Sequence, residues 1–293
     1  MWAALVRNTA HRMSRAAGYT FTRRAPGRSF AKKASRKNKN LARLAEMGAA
    51  FDLNGPVPSI HDDPKRVAPV SAKLFDKPGA FIAAAAEQAE VEALNPMGTP
   101  EIAFVGKSNV GKSSLLNSLM RTDIVNTSKS PGRTKGINFF GVGEGSLRLV
   151  DLPGYGYARA SKYSIQELHR RVYEYVFTRD PTILMHVFVL VDCRRGQPSD
   201  AEIELMRAMD REGMRYRVVL TKADTLAKDD ILQAVVNTAW LTKDHLACDP
   251  LVNVVSTKKE FGIQELRDSI AQLYMDWQRF FDAEGLVPGG EAE

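Results

Sequence analysis

The stretch G-K-S-N-V-G-K-S, which runs from Gly106 to Ser113, decides how the rest of the sequence is interpreted. A short apolar run, from Ile102 to Val105, precedes it, and apolar residues with helical spacing follow it from Leu115 onward. A strand, a glycine-containing loop and a helix in this order are the context of a P-loop, which binds the phosphates of a nucleotide. The alternative is a glycine turn that joins a buried strand to a helix and has no ligand.

The residues of this loop have the chemistry that a phosphate site requires. Gly106 and Gly111 permit the tight turn in which successive backbone N–H groups point at a phosphate. The helix that opens at Lys112 adds its free N–H groups. Lys112 is expected to reach the β- and γ-phosphates, and Ser113 to bind Mg²⁺. The predicted phosphate-binding residues are Gly106, Lys107, Ser108, Asn109, Val110, Gly111, Lys112, Ser113 and Ser114.

The net charge of +7 comes from the N-terminus. The first acidic residue is Glu46, and twelve of the 41 Lys and Arg residues precede it, which leaves 29 basic and 34 acidic residues in the rest of the chain. An acid-free, Arg-rich and hydroxyl-bearing N-terminus predicts an organelle transit peptide. The sequence around Phe30 resembles a mitochondrial processing site, so we assign residues 1–30 to a presequence and the protein to the mitochondrial matrix. A plastid presequence and a basic tail that binds nucleic acid are the alternatives.

The composition of the full chain is that of an ordinary globular protein, with 44% hydrophobic and 26% charged residues. No run approaches 18 consecutive apolar residues, so no membrane-spanning helix is predicted. Cys193 and Cys248 are isolated in the sequence, which suits a reducing compartment and predicts neither a disulfide framework nor a cysteine metal site.

Apolar runs that alternate with helical patterns predict an α/β fold, with a mostly parallel six-stranded sheet and helices on both faces. The strands are predicted at residues 101–105, 137–142, 147–152, 183–191, 216–220 and 251–255. Gly143-Glu144-Gly145, between the second and third strands, predicts a hairpin. Two Ser-x-x-Glu capping boxes, at Ser164 and Ser199, predict the starts of two helices.

The chain is expected to divide into five segments around this fold. The presequence, residues 1–30, is followed by a flexible linker at 31–74, and together they form a disordered basic extension. An alanine-rich run at 75–98 is expected to contain a helix that leads into the domain. The P-loop domain itself spans residues 99–281. Residues 282–293, which are rich in acids and glycine, are expected to be a disordered tail.

The identity of the base is indicated by T-K-A-D, from Thr221 to Asp224, which follows a predicted buried strand. The Asp224 carboxylate can accept hydrogen bonds from N1–H and the 2-amino group of guanine, whereas adenine has no donor at these positions. Leaving a buried carboxylate unpaired costs about 1–3 kcal/mol per missing bond. Lys222 would lie along the base and brace the P-loop. Backbone N–H groups for guanine O6 are expected from Ser256, Thr257 and Lys258. A Thr/Asp turn that caps a helix is the alternative.

Three further positions complete the predicted triphosphate site. Asp151 opens a D-x-x-G motif and is expected to hold Mg²⁺ through water, while the N–H of Gly154 would meet the γ-phosphate. Thr134, in the polar loop before the second strand, would complete the metal shell with Ser113, although a plain loop threonine is the alternative. Loops whose order depends on the γ-phosphate make a two-state switch. The predicted catalytic residues are Lys112, Thr134 and Gly154.

Five motifs taken together resemble those of the EngB (YihA) GTPases, within the TrmE–Era–EngA–EngB–septin class. They are G-K-S-N-V-G-K-S-S-L-L-N, S-P-G-R-T-K-G-I-N-F-F, D-L-P-G-Y-G-Y-A, V-D-C-R-R-G and T-K-A-D, and the match covers residues 100–280. D-L-P-G-Y-G-Y-A is the most diagnostic, because few other GTPases repeat Gly-Tyr at this point. The bacterial members lack the long N-terminus.

The resemblance implies GTP hydrolysis coupled to assembly of the large ribosomal subunit. The implied ligands are GTP or GDP and Mg²⁺, and the implied partner is a ribosomal large-subunit precursor with its rRNA and proteins. With a transit peptide, that ribosome would be the mitochondrial one. Asn109 matches the residue through which relatives in this class bind an activating K⁺; the alternative is a loop asparagine that tolerates an unusual φ. A monomer is expected.

Two features of the sequence bear on the rate of hydrolysis. Tyr155 stands where Ras-like enzymes carry a water-positioning Gln, and no arginine finger is identifiable, so intrinsic hydrolysis is expected at about 10⁻⁴–10⁻² s⁻¹ or below. A GTP-dependent binding module with negligible hydrolysis, or a GTPase that serves RNA modification, is the alternative.

Contact with RNA is considered at four arginines. Either a phosphate-binding edge or an exposed helix face paired with acids is predicted from Arg207, Arg211, Arg215 and Arg217.

Overall fold

The computed structural model describes residues 64–85, 88–125, 136–154 and 162–284, which form a seven-stranded sheet between two layers of helices. The strands are β1 (Ala80–Ala85), β2 (Glu101–Gly106), β3 (Ile137–Val142), β4 (Leu147–Asp151), β5 (Leu184–Asp192), β6 (Tyr216–Thr221) and β7 (Cys248–Val254). Their order in the sheet is β1-β3-β4-β2-β5-β6-β7. The helices are α1 (Pro64–Phe75), α2 (Gln88–Ala93), α3 (Lys112–Met120), α4 (Lys162–Thr178), α5 (Asp200–Glu212), α6 (Lys228–Thr242) and α7 (Ile263–Glu284).

All of these strands except β3 run in the same direction. β2 pairs in parallel with β4 and with β5, and parallel pairing continues through β6 to β7. β3 pairs antiparallel with both β1 and β4, and the 3₁₀ turn Gly143–Gly145 joins β3 to β4 as the predicted hairpin. Five neighbouring parallel strands therefore end at one edge of the sheet, and the loops that follow them meet there.

β2 shows how the core is divided between the two faces of the sheet. Ile102 and Phe104 pack in one cluster with residues of α1, α3 and α7, whereas Ala103 and Val105 pack in another with residues of α4, α5 and α6. Side chains alternate because successive residues of a strand point to opposite faces. Both faces are covered, and this explains why central strands such as β2 and β6 are apolar runs.

The sheet has seven strands and not the predicted six, because Ala80–Ala85 forms β1 where a helix was expected. β1 pairs with β3 from Ala80 opposite Gly141 to Ala85 opposite Ile137. Alanine favours helices by propensity. The edge of β3, however, offers a ladder of hydrogen bonds, and this tertiary pairing overrides the local preference. A short helix, α2, follows β1 in the same segment.

Helix α1 occupies the end of the segment, residues 31–74, that was predicted to be a flexible linker. Its residues Val67, Leu74 and Phe75 are buried in the same cluster as residues of α7. Two prolines, Pro64 and Pro69, argue against a helix at this point of the sequence and explain why it was not predicted. Pro64 stands at the first helical position, where the missing N–H is tolerated. The packed unit of the structure therefore includes α1 and β1, ahead of the boundary predicted at residue 99.

The two helix starts predicted from capping boxes lie within a few residues of those observed. The capping box at Ser199 and Glu202 is present, and Gly213 closes the C-terminus of α5. Helix α4 begins at Lys162, two residues before the cap predicted at Ser164. Helix α7 continues to Glu284, three residues into the segment predicted to be disordered. Within the described ranges, no helix combines the length and the apolar character needed to cross a membrane.

The amino end of β2 is fixed by Glu101, whose side chain is fully buried. Its carboxylate accepts hydrogen bonds from the Arg179 guanidinium at 2.8 and 2.7 Å, from the Tyr175 hydroxyl at 2.7 Å and from Asn95 Nδ2 at 2.8 Å. The Arg148 guanidinium lies 3.9 Å from the same carboxylate. A buried carboxylate is tolerated when it is paired and hydrogen-bonded in this way. The network joins the amino end of the sheet to the end of α4.

We predict that Glu101→Ala lowers the free energy of unfolding by about 3–5 kcal/mol, because the buried Arg179 guanidinium loses its counter-ion. Urea unfolding of the variant measures this change. Lys77→Ala is the control, since it removes an exposed ion pair with Glu144 and should leave stability nearly unchanged. Equal effects of the two substitutions would contradict a structural role of the Glu101 network.

Candidate functional site

The predicted site residues within the described ranges lie at the carboxyl edge of the sheet. The loop after β2 and the first turn of α3 carry Gly106, Lys107, Ser108, Asn109, Val110, Gly111, Lys112, Ser113 and Ser114. The end of β4 and the following loop carry Asp151 and Gly154. The loops after β6 and β7 carry Thr221, Lys222, Asp224, Ser256, Thr257 and Lys258. Thr134 and Tyr155 lie outside the described residues.

The loop between β2 and α3 turns through two residues at positive φ, Asn109 at 63° and Gly111 at 105°. The Val110 N–H donates to the Lys107 carbonyl at 3.0 Å and closes a tight turn. A Cβ at Gly106 would lie 3.0 Å from atoms of Leu190 and Val110, closer than ordinary van der Waals contact, so glycine suits this close packing. The unusual φ expected of Asn109 under the alternative interpretation is observed. Helix α3 begins directly after Gly111, so the loop presents a helix N-terminus, which favours an anion.

Lys112 and Asp151 form a buried ion pair between this loop and the end of β4. Lys112 Nζ donates to Asp151 Oδ1, and the two side chains are 9% and 1% exposed. Asn138 Nδ2 lies 3.5 Å from Asp151 Oδ2. No cluster of three or more His, Cys, Asp or Glu side chains suited to a metal occurs in the described part of the chain. A carboxylate and the hydroxyl of the adjacent Ser113 are oxygen ligands of the kind that suits Mg²⁺.

Gly154 brings the loop after β4 against the P-loop. A Cβ at this position would lie 3.2 Å from the Ser108 hydroxyl oxygen, 3.3 Å from Ser108 Cα and 3.4 Å from Ser108 N. The Leu152 N–H donates to the Phe104 carbonyl at 3.1 Å, which holds this loop in register with β2. A side chain at position 154 would require Ser108 to move by a few tenths of an ångström, so glycine suits the close approach of the two loops.

Two side chains tie the T-K-A-D segment to the P-loop. Thr221 Oγ1 donates to the Val110 carbonyl at 2.7 Å, and Lys222 Nζ donates to the Asn109 carbonyl. Lys222 also donates to Asp192 Oδ2 at 3.0 Å. Its backbone has φ 62°, which is uncommon for a residue other than glycine. The brace that was expected between Lys222 and the P-loop is present.

Asp224 and Ser256 meet across the loops after β6 and β7. Ser256 Oγ donates to Asp224 Oδ1 at 2.8 Å and accepts from the Lys259 N–H at 3.2 Å. Backbone hydrogen bonds of 2.9 and 3.1 Å between Ser256 and Phe261 close the turn. The half-buried Thr257 and the exposed Lys258 lie in this turn. Thr257, Lys258 and Ser114 line part of an open groove of about 760 Å³ beside α3.

Asp192 is the residue of the site that the sequence analysis missed. It ends β5, between the strand of the P-loop and the strand of T-K-A-D, and it binds both Lys222 and Arg194. V-D-C-R-R-G was noted only for its resemblance. Asp224 was predicted from T-K-A-D, whereas the signal for Asp192 is an acidic residue at the carboxyl end of an apolar strand.

The four arginines considered for RNA contact do not form one exposed edge. Arg217 is buried and donates to Asp249 Oδ2 at 3.1 and 2.6 Å, and Arg215 donates to Asp249 Oδ1 at 3.1 Å. Arg207 and Arg211 are exposed on α5. Two of the four therefore belong to an ion-pair cluster that joins β6 to β7, and the hypothesis of a single phosphate-binding edge is wrong.

A family model described as "50S ribosome-binding GTPase" matches residues 101–222. The chain is 44% identical over 184 residues to the "probable GTP-binding protein EngB" of Hyphomonas neptunium, which covers 62% of this chain and 83% of that protein. It is 39% identical over 203 residues to the protein of the same name in Bradyrhizobium diazoefficiens, which covers 69% and 91% of the two chains. A crystal structure of a "probable GTP-binding protein engB" is similar with a TM-score of 0.50 and 19% identity, over 60% of this chain and 98% of that one.

The likeness to the crystal structure supports the fold that the described strands and helices form. The sequence identity to the bacterial proteins extends over most of their length, 83% and 91% in the two cases. The chain therefore belongs to the EngB family of P-loop GTPases.

Proposed function

We propose that this protein is a GTP-hydrolysing switch that assists assembly of the large subunit of the mitochondrial ribosome. The proposal that this protein binds GTP rests on two hydrogen bonds. Through them Thr221 and Lys222, in the T-K-A-D segment proposed to bind the base, are connected to the P-loop. This connection joins a candidate site for guanine to a candidate site for phosphate. The names of the bacterial relatives, which describe GTP-binding proteins, support the same assignment.

The proposed recognition of guanine rests on the pair of Asp224 and Ser256. The hydrogen bond from Ser256 orients the Asp224 carboxylate. An oriented carboxylate can accept bonds from N1–H and the 2-amino group of guanine, and it rejects a base that lacks these donors because it would lose its partners. The adjacent turn, with Thr257 and Lys258, would supply backbone N–H groups to guanine O6. The site would thus select GTP over ATP.

The proposed reaction is attack of water on the γ-phosphate. Lys112, the N–H groups of the P-loop and the Gly154 N–H would hold the phosphates and stabilise the charge that develops on them. Ser113, Thr134 and Asp151 would hold Mg²⁺, which supplies further neutralisation of phosphate charge when it is bound. Lys112 would exchange Asp151 for phosphate as a partner, which an ammonium with three rotatable donors can do readily.

The ribosomal part of the proposal rests on the family. The matching family model is described as a 50S ribosome-binding GTPase, and 50S is the large ribosomal subunit. We propose that a precursor of this subunit is the partner of this protein and that the protein acts as a monomer. A binding module that hydrolyses GTP negligibly is the rival, because Tyr155 stands where Ras-like enzymes carry a water-positioning glutamine.

GTP turnover with and without purified mitochondrial large-subunit particles tests the proposal against its rival. We expect slow turnover alone and a clear increase with the particles, with cosedimentation that depends on the nucleotide. Turnover that stays at background under both conditions, with nucleotide-dependent cosedimentation retained, would favour the binding module. Absence of cosedimentation with any nucleotide would overturn the ribosomal part.

Recognition of guanine by Asp224 can be tested by a substitution that changes the preferred base. Asp224→Asn should weaken GTP binding and introduce XTP binding, because an amide can donate to the 2-oxo group of xanthine where the carboxylate accepted from guanine. Equilibrium binding of both nucleotides measures the exchange. Asp229→Asn, at an exposed aspartate in the first turn of α6, is the matched control and should bind GTP like the unaltered protein. Unchanged GTP affinity in Asp224→Asn would show that Asp224 does not read the base.

A second prediction concerns activation by K⁺, which we propose acts at Asn109. Turnover should be faster in KCl than in NaCl at equal ionic strength, because a cation beside the phosphates stabilises developing charge. Asn109→Gly is the suitable variant, since glycine keeps the observed φ of 63° without the side-chain amide. This substitution should abolish the difference between the two salts. A K⁺ effect that persists in Asn109→Gly would exclude the amide from the site.

A third prediction concerns the proposed mitochondrial location. Residues 1–30 contain no acid and six arginines, the charge pattern of a transit peptide. Deleting them should leave the protein in the cytosol, while GTP binding by the purified truncation is retained. Fluorescence microscopy with a C-terminal tag measures the location. Mitochondrial import of the truncated protein would contradict the assignment.

A further inference from the structure

Asp192 joins the two halves of the candidate nucleotide site. It ends β5, which lies between β2 and β6 in the sheet, and its carboxylate is largely buried. Lys222 Nζ donates to Oδ2 at 3.0 Å. Arg194 donates through Nη2 to Oδ2 at 2.6 Å, through Nε to Oδ1 at 2.8 Å and through its backbone N–H to Oδ1 at 3.1 Å. The carboxylate therefore holds one lysine and one arginine fork at the same time.

Lys222 needs such support because its backbone is in the left-handed region, with φ 62° and ψ 32°. That conformation is strained for a residue with a Cβ, and it persists where its surroundings fix it. The Ala223 N–H, which donates to the Val255 carbonyl at 3.2 Å, fixes the next peptide. The ammonium is held at its far end by the Asn109 carbonyl on one side and by Asp192 on the other.

We propose that Asp192 is a positioning residue of the nucleotide site, which holds the Lys222 ammonium over the P-loop backbone and so keeps the base loop and the phosphate loop in register. The inference rests on the proposed GTP site and adds a residue to it. Asp192 binds Arg194 and Lys222, and neither is a phosphate-binding residue of the P-loop. Of the two, Lys222 also contacts the P-loop, so the proposed effect of Asp192 on nucleotide binding passes through Lys222.

Arg194 has a supporting part in this arrangement. Its side chain is about half exposed, and its fork holds both oxygens of the carboxylate, which sets the plane in which Oδ2 faces Lys222. Burial acts to raise the pKa of Asp192, but the bonds from Arg194 and Lys222 lower it to about 2. The carboxylate is therefore ionised at neutral pH, and it offers Lys222 a full negative charge.

A purely local role for Asp192 is the competing explanation. The carboxylate also caps the 3₁₀ turn Cys193–Arg195 by accepting from the Arg194 N–H. Asp192→Asn separates the two explanations, because an amide oxygen can keep the cap while the negative charge is lost. Asp180→Asn is the matched control. Asp180 precedes β5 at the opposite end, where its carboxylate accepts from the Thr182 N–H at 2.8 Å and the Thr182 hydroxyl at 2.7 Å.

The test is a double-mutant cycle in the full chain with Asp192→Asn, Lys222→Met and the double variant. Fluorescent GDP measures Kd and the dissociation rate, and thermal unfolding of the nucleotide-free protein measures stability. We expect Asp192→Asn to raise Kd about tenfold, mainly through faster dissociation, since a charge-assisted hydrogen bond is lost. In the Lys222→Met background the same substitution should change Kd by less than about twofold, because the side chain through which it acts is gone. Asp180→Asn should leave Kd unchanged.

Independent effects that multiply in the double variant would overturn the inference, and so would a Kd of Asp192→Asn within about twofold of the unaltered protein. If Asp192→Asn does not fold, the same cycle is run with Arg194→Ala, for which we expect a smaller rise in Kd that again disappears in the Lys222→Met background. Additivity in that cycle would overturn the inference as well. Failure of the unaltered chain to bind GDP would instead contradict the proposed function, so the two failures are distinguishable.

Discussion

The parallel order of neighbouring strands is the constraint on which the candidate site depends, and the buried ion pair between Lys112 and Asp151 shows its effect. The two residues are 39 positions apart in the sequence, and they meet because β2 and β4 are parallel neighbours that end at the same edge of the sheet. Removing two charges from water is costly, so such a pair persists only where the backbone holds its partners together. The sheet supplies that constraint. The other contacts of the site follow from the same geometry, since β5, β6 and β7 continue the parallel order and bring their loops to the same edge.

This dependence explains which parts of the fold could be predicted from the sequence. β2, β5 and β6 are buried on both faces, so the apolar residues of each strand are enough to predict it from its own sequence. The glycines of the P-loop likewise predict the turn that follows β2. β1 was predicted wrongly because its conformation is decided by β3, more than 50 residues later in the chain. An alanine-rich run contains no local evidence of that partner, and propensity alone favours a helix. Helix α1 was missed for a similar reason, because its burial depends on α7 at the other end of the domain.

The candidate site also contains residues that local sequence predicts and a residue whose role depends on distant parts of the chain. Asp224 and Ser256 were both predicted from their places after strands, Asp224 within T-K-A-D and Ser256 directly after the last predicted strand, and the structure joins them by a hydrogen bond of 2.8 Å. Asp192, the last residue of β5, lies opposite Thr221 in the sheet and was not predicted. Its place in the site depends on its hydrogen bond with Lys222. The left-handed backbone that directs this lysine to both Asp192 and the P-loop is a property of the folded loop. A sequence motif gives the residue types of a site, whereas the partner of a long, flexible side chain is decided by where the backbone of another loop lies.

The two ends of the sheet use different cations, and the difference suits their functions. At the amino end, Glu101 and Asp249 are held by the forks of Arg179 and Arg217, which are planar and make two hydrogen bonds at once. At the carboxyl end, the groups proposed to face the nucleotide are the ammonium groups of Lys112 and Lys222, each a compact charge with three rotatable donors. A guanidinium fork resists exchange of its partner because both bonds must break together, while an ammonium can replace one acceptor by another without a change in backbone. The arginine clusters thus stabilise the end of the sheet that has no proposed ligand, and lysines occupy the end where a phosphate would compete with Asp151. Arg194 follows the same rule at the carboxyl end, since it fixes a carboxylate and leaves the exchangeable contact to Lys222.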